Sequence, residues 1–189
     1  MISLIYGGET NGVSKRVFNS IKQSLEKKEQ DLQVVDLSEE SLNLSLEQGY
    51  QTERDPRMVE IQDQLKQSDT LIFVYPLYWL NVPMRLKGFI DSVLWPNEAF
   101  SFKKKDYYHN GYWRGKKAFL IYTLGGPEWL HKIYRSSGLM AVKYPLKFSG
   151  VMKVKHYFIE NINSSKVTEE KINHQIAKIS EKLTKQVAH

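Results

Sequence analysis

The chain has no cysteine among its 189 residues. That excludes disulfides, a thiol nucleophile and thiolate metal sites, and it fits a cytoplasmic protein. No run reaches the roughly 18 apolar residues of a membrane helix. The N-terminus enters a strand-like ISLIY with no basic n-region of an export signal. The histidines (His109, His131, His156, His174 and His189) form no cluster with ligand spacing, so no metal is expected. Lys and Arg outnumber Asp and Glu by 27 to 21. The excess is dispersed, however, and no basic stripe is interleaved with aromatics, so a nucleic-acid partner is not expected. Repeats, low-complexity tracts and linkers are also missing, and the chain reads as one domain over 1–189. Its six prolines (Pro56, Pro76, Pro83, Pro96, Pro127 and Pro145) are expected at joints or in irregular segments.

What is present is a repeated alternation of strand and helix. Ile2–Tyr6 is a buried apolar run, and a helical stripe through Val17, Phe18, Ile21 and Leu25 follows. LQVVDL, from Leu32, is a second strand. Residues 38 to about 56 carry no clear period and are expected to be a long loop with some helical character, and a functional one. A short helix then leads into a third strand that Pro76 ends. Leu86, Phe89, Ile90 and Val93 mark the next helix. Residues 95–114 are irregular and aromatic-rich. Lys117–Thr123 is the fourth strand and Val154–Ile159 the fifth, with one helical segment between them over roughly Glu128–Phe148. Thr168-Glu169-Glu170 caps the last helix with a hydroxyl and two acids. Five such alternations predict a doubly wound, three-layer α/β fold with a five-stranded parallel sheet in the flavodoxin-like order 2-1-3-4-5.

In such sheets ligands bind beyond the carboxyl ends of the strands at the switch point. Three loops leave those ends. The first runs into a helix N-terminus, where free N–H groups with Thr10, Asn11, Gly12 and Ser14 suit a phosphate; the bland alternative is an ordinary capped start. Gly7-x4-Gly12-Val13-Ser14 approaches a P-loop pattern, but Val13 stands in the lysine position and nothing suits magnesium. The second loop, Pro76, Leu77, Tyr78, Trp79 and Leu80, offers aromatic faces and backbone edges to a planar ring, with core aromatics as the alternative. The third, Thr123, Leu124, Gly125 and Gly126, lets a ligand approach the backbone closely. His131 lies just beyond it.

Three segments carry a further signal: PLYWLNVPMRLKGFIDSVL from Pro76, GYWRGKKAFLIYTLGG from Gly111, and the stretch to Tyr144-Pro145 and Ser149-Gly150. Together they resemble the flavodoxin-like NAD(P)H:quinone oxidoreductases, both the DT-diaphorase type and the ancillary subunits of potassium efflux systems. The resemblance implies a homodimeric flavoprotein that reduces quinones or similar acceptors by two-electron hydride transfer. NADH or NADPH would be co-substrate, with FMN (or FAD) as cofactor. It implies that Pro76–Leu80 and Thr123–Gly126 hold the isoalloxazine ring and Asn11–Ser14 the flavin phosphate. Phe100 and Phe102 match the aromatic pair that lines the neighbour's substrate pocket. The alternative it carries is a regulatory subunit docked on a potassium efflux channel. A one-electron carrier is disfavoured, since those are commonly acidic. Two departures stand out. The first loop reads Gly7-Gly8 where the family often has a histidine. Beyond Gly125-Gly126, His131 and Ser137 stand where better studied members have a tyrosine and a histidine, so His131 is the expected catalytic donor and a substrate-pocket residue.

Overall fold

A computed structural model describes residues 1–187. The chain runs β1 (Ile2–Tyr6), α1 (Val13–Glu26), β2 (Leu32–Asp36), α2 (Pro56–Gln67), β3 (Thr70–Pro76), α3 (Met84–Val93), β4 (Lys117–Thr123), α4 (Glu128–Ile133), α5 (Ser137–Phe148), β5 (Lys153–Ile159) and α6 (Glu169–Val187). All strand pairs are parallel, in the order β2-β1-β3-β4-β5. The flavodoxin-like topology expected from the alternation is therefore present.

Both faces of the sheet are buried, which explains why its central strands read as apolar runs with no alternation. On one face Ile5, Phe73, Tyr75, Leu120 and Tyr122 meet α2, α3 and α5 through Ile61, Leu65, Phe89, Ile90 and Val142. On the other, Leu4, Ile72, Val74, Phe119 and Ile121 meet the stripes of α1 and α6 through Val17, Ile21, Ile172, Ile176 and Leu183. Each such side chain contributes about 2 kcal/mol on burial. The Thr168 hydroxyl caps α6 by accepting from the Lys171 N–H. Asp55 caps α2 by accepting from Arg57, with Pro56 in the first turn.

Two local expectations are corrected. The segment 128–148 is two helices, not one, because Arg135 and Ser136 both take left-handed backbone conformations (φ 57° and 51°) and break the run. Pro145 lies inside α5 and not at a joint; the 3₁₀ turn Tyr108–Asn110 packs against that helix. The 38–56 segment is the expected long loop with a helical turn, here 3₁₀ at Gly49–Gln51, and it is anchored to the body. Leu44 seats against α3 at Gly88, where a Cβ would stand 2.8 Å from the Leu44 Cβ. Arg57 pairs with Glu40, and Arg85 donates to the carbonyls of Leu37 and Glu40, so the segment is tied at its start.

Candidate active site

The register brings the strand ends into line: Tyr6 is opposite Val74, Pro76 opposite Thr123, and Thr123 opposite Ile159. Their loops therefore leave one edge of the sheet together. Between them lies a cleft of about 820 Å³, lined by Leu77, Tyr78, Trp79, Leu80, Leu124, Gly125, Gly126, Pro127 and further residues named below. That is an ordinary size for a cofactor site. Pro76 and Thr123, two of the expected ring contacts, lie beneath it as the last residues of β3 and β4. Thr123 is buried, and its hydroxyl has no partner among the described residues.

The 77–81 wall is a tight turn. The Tyr78 N–H donates to Asn81 O and the Asn81 N–H to Tyr78 O, both at 2.9 Å. Trp79 and Leu80 between them have φ of 51° and 62°, the geometry of a mirror-image hairpin turn usually built from Asn-Gly. Trp79 is fully exposed (101%). Neither its N–H nor that of Leu80 finds an acceptor among the described residues. Opposite, the carbonyls of Gly125 and Gly126 accept from Asn163 and Asn161, while the two glycine N–H groups have no acceptor among the described residues. The cleft thus has a pair of backbone donors on each side.

An adjoining cavity of about 490 Å³ shares Tyr78 and includes Gly8, Glu9, Thr10 and Arg85. Beside it, α1 begins at Val13 with no side-chain cap. The first helical donor in use is the Arg16 N–H, bonded to Gly12 O. Thr10, Asn11 and Gly12 are exposed around that free N-terminus. Ser14 is different: its hydroxyl is buried and hydrogen-bonded to the Tyr6 hydroxyl at 3.0 Å, which leaves its N–H as the group it can offer. The Gly7-Gly8 departure has a steric reason. A Cβ on Gly8 would stand 2.4 Å from the Tyr6 hydroxyl and 2.8 Å from Pro76 Cδ. Burial pushes the Tyr6 phenol up to about 12 despite the Ser14 bond, and Asp36 and Glu9 add to it. Burial and the Glu9 carboxylate likewise raise Tyr78.

His131 does not line the cleft. The residue is completely buried in α4, edge-on to the Tyr122 ring at 5.5 Å, with neither ring nitrogen partnered among the described residues. Burial holds it below its ordinary pKa, His156 adds to the effect and Glu128 opposes it. A buried, edge-packed imidazole cannot present a donor to a ligand, and this corrects the expected placement of His131 in the cleft. Tyr134 stands there instead, 59% exposed, together with Leu130 and Asn163. The family spacing from Gly125-Gly126 leads to His131 and so passes over Tyr134, three residues on. Asn163 lies on a fourth loop at the same sheet edge, the one leaving β5, and that position was the available signal.

Phe100 and Phe102 are not brought to the cleft of their own chain. They line a separate cavity of about 290 Å³ with Tyr50, Leu94, Tyr144 and Phe148. Phe148, unnoticed in the sequence, is the hub: Phe100, Phe102, Tyr107 and Tyr108 all lie within 5.1–5.8 Å of its ring. Among the described residues no group of side chains could hold a metal ion, and no helix is long and apolar enough to cross a membrane.

A family described as having a flavodoxin-like fold matches residues 2–183. The FMN-dependent NADH:quinone oxidoreductase of Pelagibacter ubique is 30% identical over 162 residues, covering 78% of this chain and 79% of that protein. The rat ribosyldihydronicotinamide dehydrogenase [quinone] is 39% identical over 82 residues, 43% of this chain. The chain spans only about a third of the length of that protein and its mammalian counterparts. The crystal structure of Smu.1420 from Streptococcus mutans superposes with a TM-score of 0.80 at 25% identity, over 96% of this chain and all of that one. With almost its whole length matched and the 2-1-3-4-5 sheet in place, the chain belongs to the family of flavodoxin-like fold proteins that includes the quinone oxidoreductases.

Proposed function

We propose that the protein is an FMN-dependent NAD(P)H:quinone oxidoreductase. The observation that carries this reading is the cleft with two backbone N–H donors on each wall, Trp79 and Leu80 facing Gly125 and Gly126, beside an uncapped helix N-terminus. A flat heteroaromatic ring with a phosphate tail has the complementary needs. The names of the relatives agree with it, the Pelagibacter protein being FMN-dependent. A bound FMN would supply a ring that takes hydride from NAD(P)H and delivers it to a quinone. In the net reaction one solvent proton joins that hydride on the acceptor, giving hydroquinone and NAD(P)⁺.

The chain's own part is positioning. Thr10, Asn11, Gly12 and the N–H of Ser14 hold the phosphate at the positive end of α1. The 77–80 and 124–126 backbones fix the ring edges, and their donors favour the charge that reduction brings. Leu77, Leu124 and Leu130 keep water from the ring, and Tyr134 and Tyr78, both exposed and both lining the cleft, carry the phenols that stand in place of His131. The exposed Phe102, packed edge-on against the buried Phe100, serves the cleft of a second copy, which makes the homodimer the working unit; the cytoplasm is the proposed compartment. The test is direct. The protein is purified, loaded with FMN, and its visible spectrum is followed on adding NADPH and then a quinone. Bleaching by NADPH and recovery with quinone are expected. Failure to take up FMN would overturn the reading.

A further inference from the structure

The Tyr78–Asn81 turn is held in an unfavourable shape by residues that carry no assigned role. Two consecutive residues with side chains, Trp79 and Leu80, are in the left-handed region, which costs free energy that Asn or Gly would avoid. Trp79 recovers none of that cost by burial, because its side chain is fully exposed. Something else must fix the turn, and α5 packs directly on it. The Ser137 hydroxyl, in the first residue of that helix, donates to Leu80 O at 2.6 Å. Gly138 follows, with no room for a side chain: a Cβ there would stand 2.4 Å from Leu77 Cδ2, 2.9 Å from Leu80 O and 3.3 Å from Asn81 Cα. All three atoms belong to the turn segment. At the other end the Leu77 N–H is tied to Thr123 O at 2.8 Å.

We propose that Ser137 and Gly138 are positioning residues that brace the left-handed Trp79–Leu80 turn, so that its two free N–H groups stay aimed into the cleft. The position at which the family resemblance leads one to expect a histidine is thus used here by a short hydroxyl that grips a carbonyl. The joint before α5 serves the same end. The left-handed pair Arg135–Ser136 turns the chain, and the first turn of α5 arrives with Ser137 over Leu80 and Gly138 flat against Leu77. The brace acts on the backbone and needs no ligand, while its consequence for cofactor affinity rests on the proposed flavin site.

The test therefore has two arms. In the first, hydrogen exchange of the flavin-free protein is measured by mass spectrometry for the wild type, Ser137→Ala, Ser137→Thr and Gly138→Ala. Loss of one part-buried hydroxyl–carbonyl bond should speed exchange of the hydrogen-bonded Tyr78 and Asn81 amides about five- to tenfold in Ser137→Ala, with β3 and β4 unchanged. Ser137→Thr, which keeps the hydroxyl, should restore it. Gly138→Ala should exceed the serine effect; if that variant fails to fold, the serine pair still decides. In the second arm, FMN affinity of the same variants is titrated by flavin fluorescence, and Ser137→Ala should weaken it by about the same factor. Unchanged exchange of the Tyr78 and Asn81 amides in Ser137→Ala would overturn the brace. Faster exchange with unaltered FMN affinity would overturn its positioning role. A wild type that binds no FMN would remove the proposed function, and the exchange arm alone would then decide the brace.

Discussion

His131 offers a sharp test, because a catalytic donor and a buried, unpartnered imidazole respond oppositely to replacement. In His131→Leu the volume is nearly kept while two desolvated nitrogens without hydrogen bonds are removed. An unsatisfied buried polar atom costs about 1–3 kcal/mol, and apolar replacement of similar shape recovers it. Allowing for the lost edge contact with Tyr122, worth about 1 kcal/mol, the variant should be stabilised by about 1–2 kcal/mol at pH 8. At this chain length that is about 3–6 °C in Tm. The gain should grow in acid. Burial lowers the folded-state pKa of His131 below the ordinary 6.5, so the unfolded chain takes the proton first. Wild-type stability therefore falls as pH drops through about 6.5 towards the folded value. The leucine variant lacks that slope. The charged and polar groups around His131 are Glu128 and Lys132 on α4, Tyr122 on β4, and His156 on β5, whose own pKa is lowered by burial and by Lys143. The assay is urea unfolding at pH 8, 6.5 and 5, with quinone reductase turnover measured on the same samples. A variant less stable than wild type by 1 kcal/mol at pH 8, a gap that does not widen in acid, or a turnover loss beyond tenfold would refute the buried reading.

Three further outcomes follow from the same geometry. Gly111→Ala should cost about 2 kcal/mol or more, read as a lowered urea midpoint at unchanged m-value, because its Cβ would meet the Ser149 backbone at 2.2–2.4 Å and backbone cannot swing aside. Gly126→Ala should leave the midpoint within about 0.5 kcal/mol, since a Cβ there meets nothing within 4 Å, yet weaken FMN binding in a fluorescence titration because the methyl stands on the cleft wall. Lys15→Met should cost about 2 kcal/mol in thermal unfolding at neutral pH. It strips the largely buried Asp36 carboxylate of its cation and leaves only the Ser38 donors, a case between a surface and a fully buried pair.

The sheet was legible in the sequence because its physics is local. A strand buried on both faces must be apolar throughout, and Pro76 and the Gly125-Gly126 pair mark where β3 and β4 stop. The amphipathic stripes of α1 and α6 were equally plain. What stayed hidden depends on tertiary choice. Ser136-Ser137-Gly138 in EWLHKIYRSSGLM is a breaker signal, but it does not announce that Arg135 and Ser136 turn left-handed or that Tyr134 comes to stand in the cleft. In a helix as short as α4, the face that turns inward is chosen by docking on Tyr122, and that choice buries His131. Phe148 was invisible for a similar reason: a lone phenylalanine near a helix end gains its place only when residues 100–108 fold back upon it.

The cleft also explains why its signal lies in residues that would touch no ligand. Its donors are the N–H groups of Trp79, Leu80, Gly125 and Gly126, and every residue type except proline has an N–H. Side-chain identity at 79 and 80 is therefore weakly tied to the donor function. It is the supports that are chemically particular: Pro76 ending the strand, Ser137 gripping a carbonyl, Gly138 and Gly125 yielding space to Leu77 and Asn163. A substitution at a support moves a donor by ångströms, while one at Trp79 leaves the backbone where it was. Loss of FMN affinity should for that reason be larger for Gly138→Ala than for Trp79→Ala, although only tryptophan stands in the open cleft.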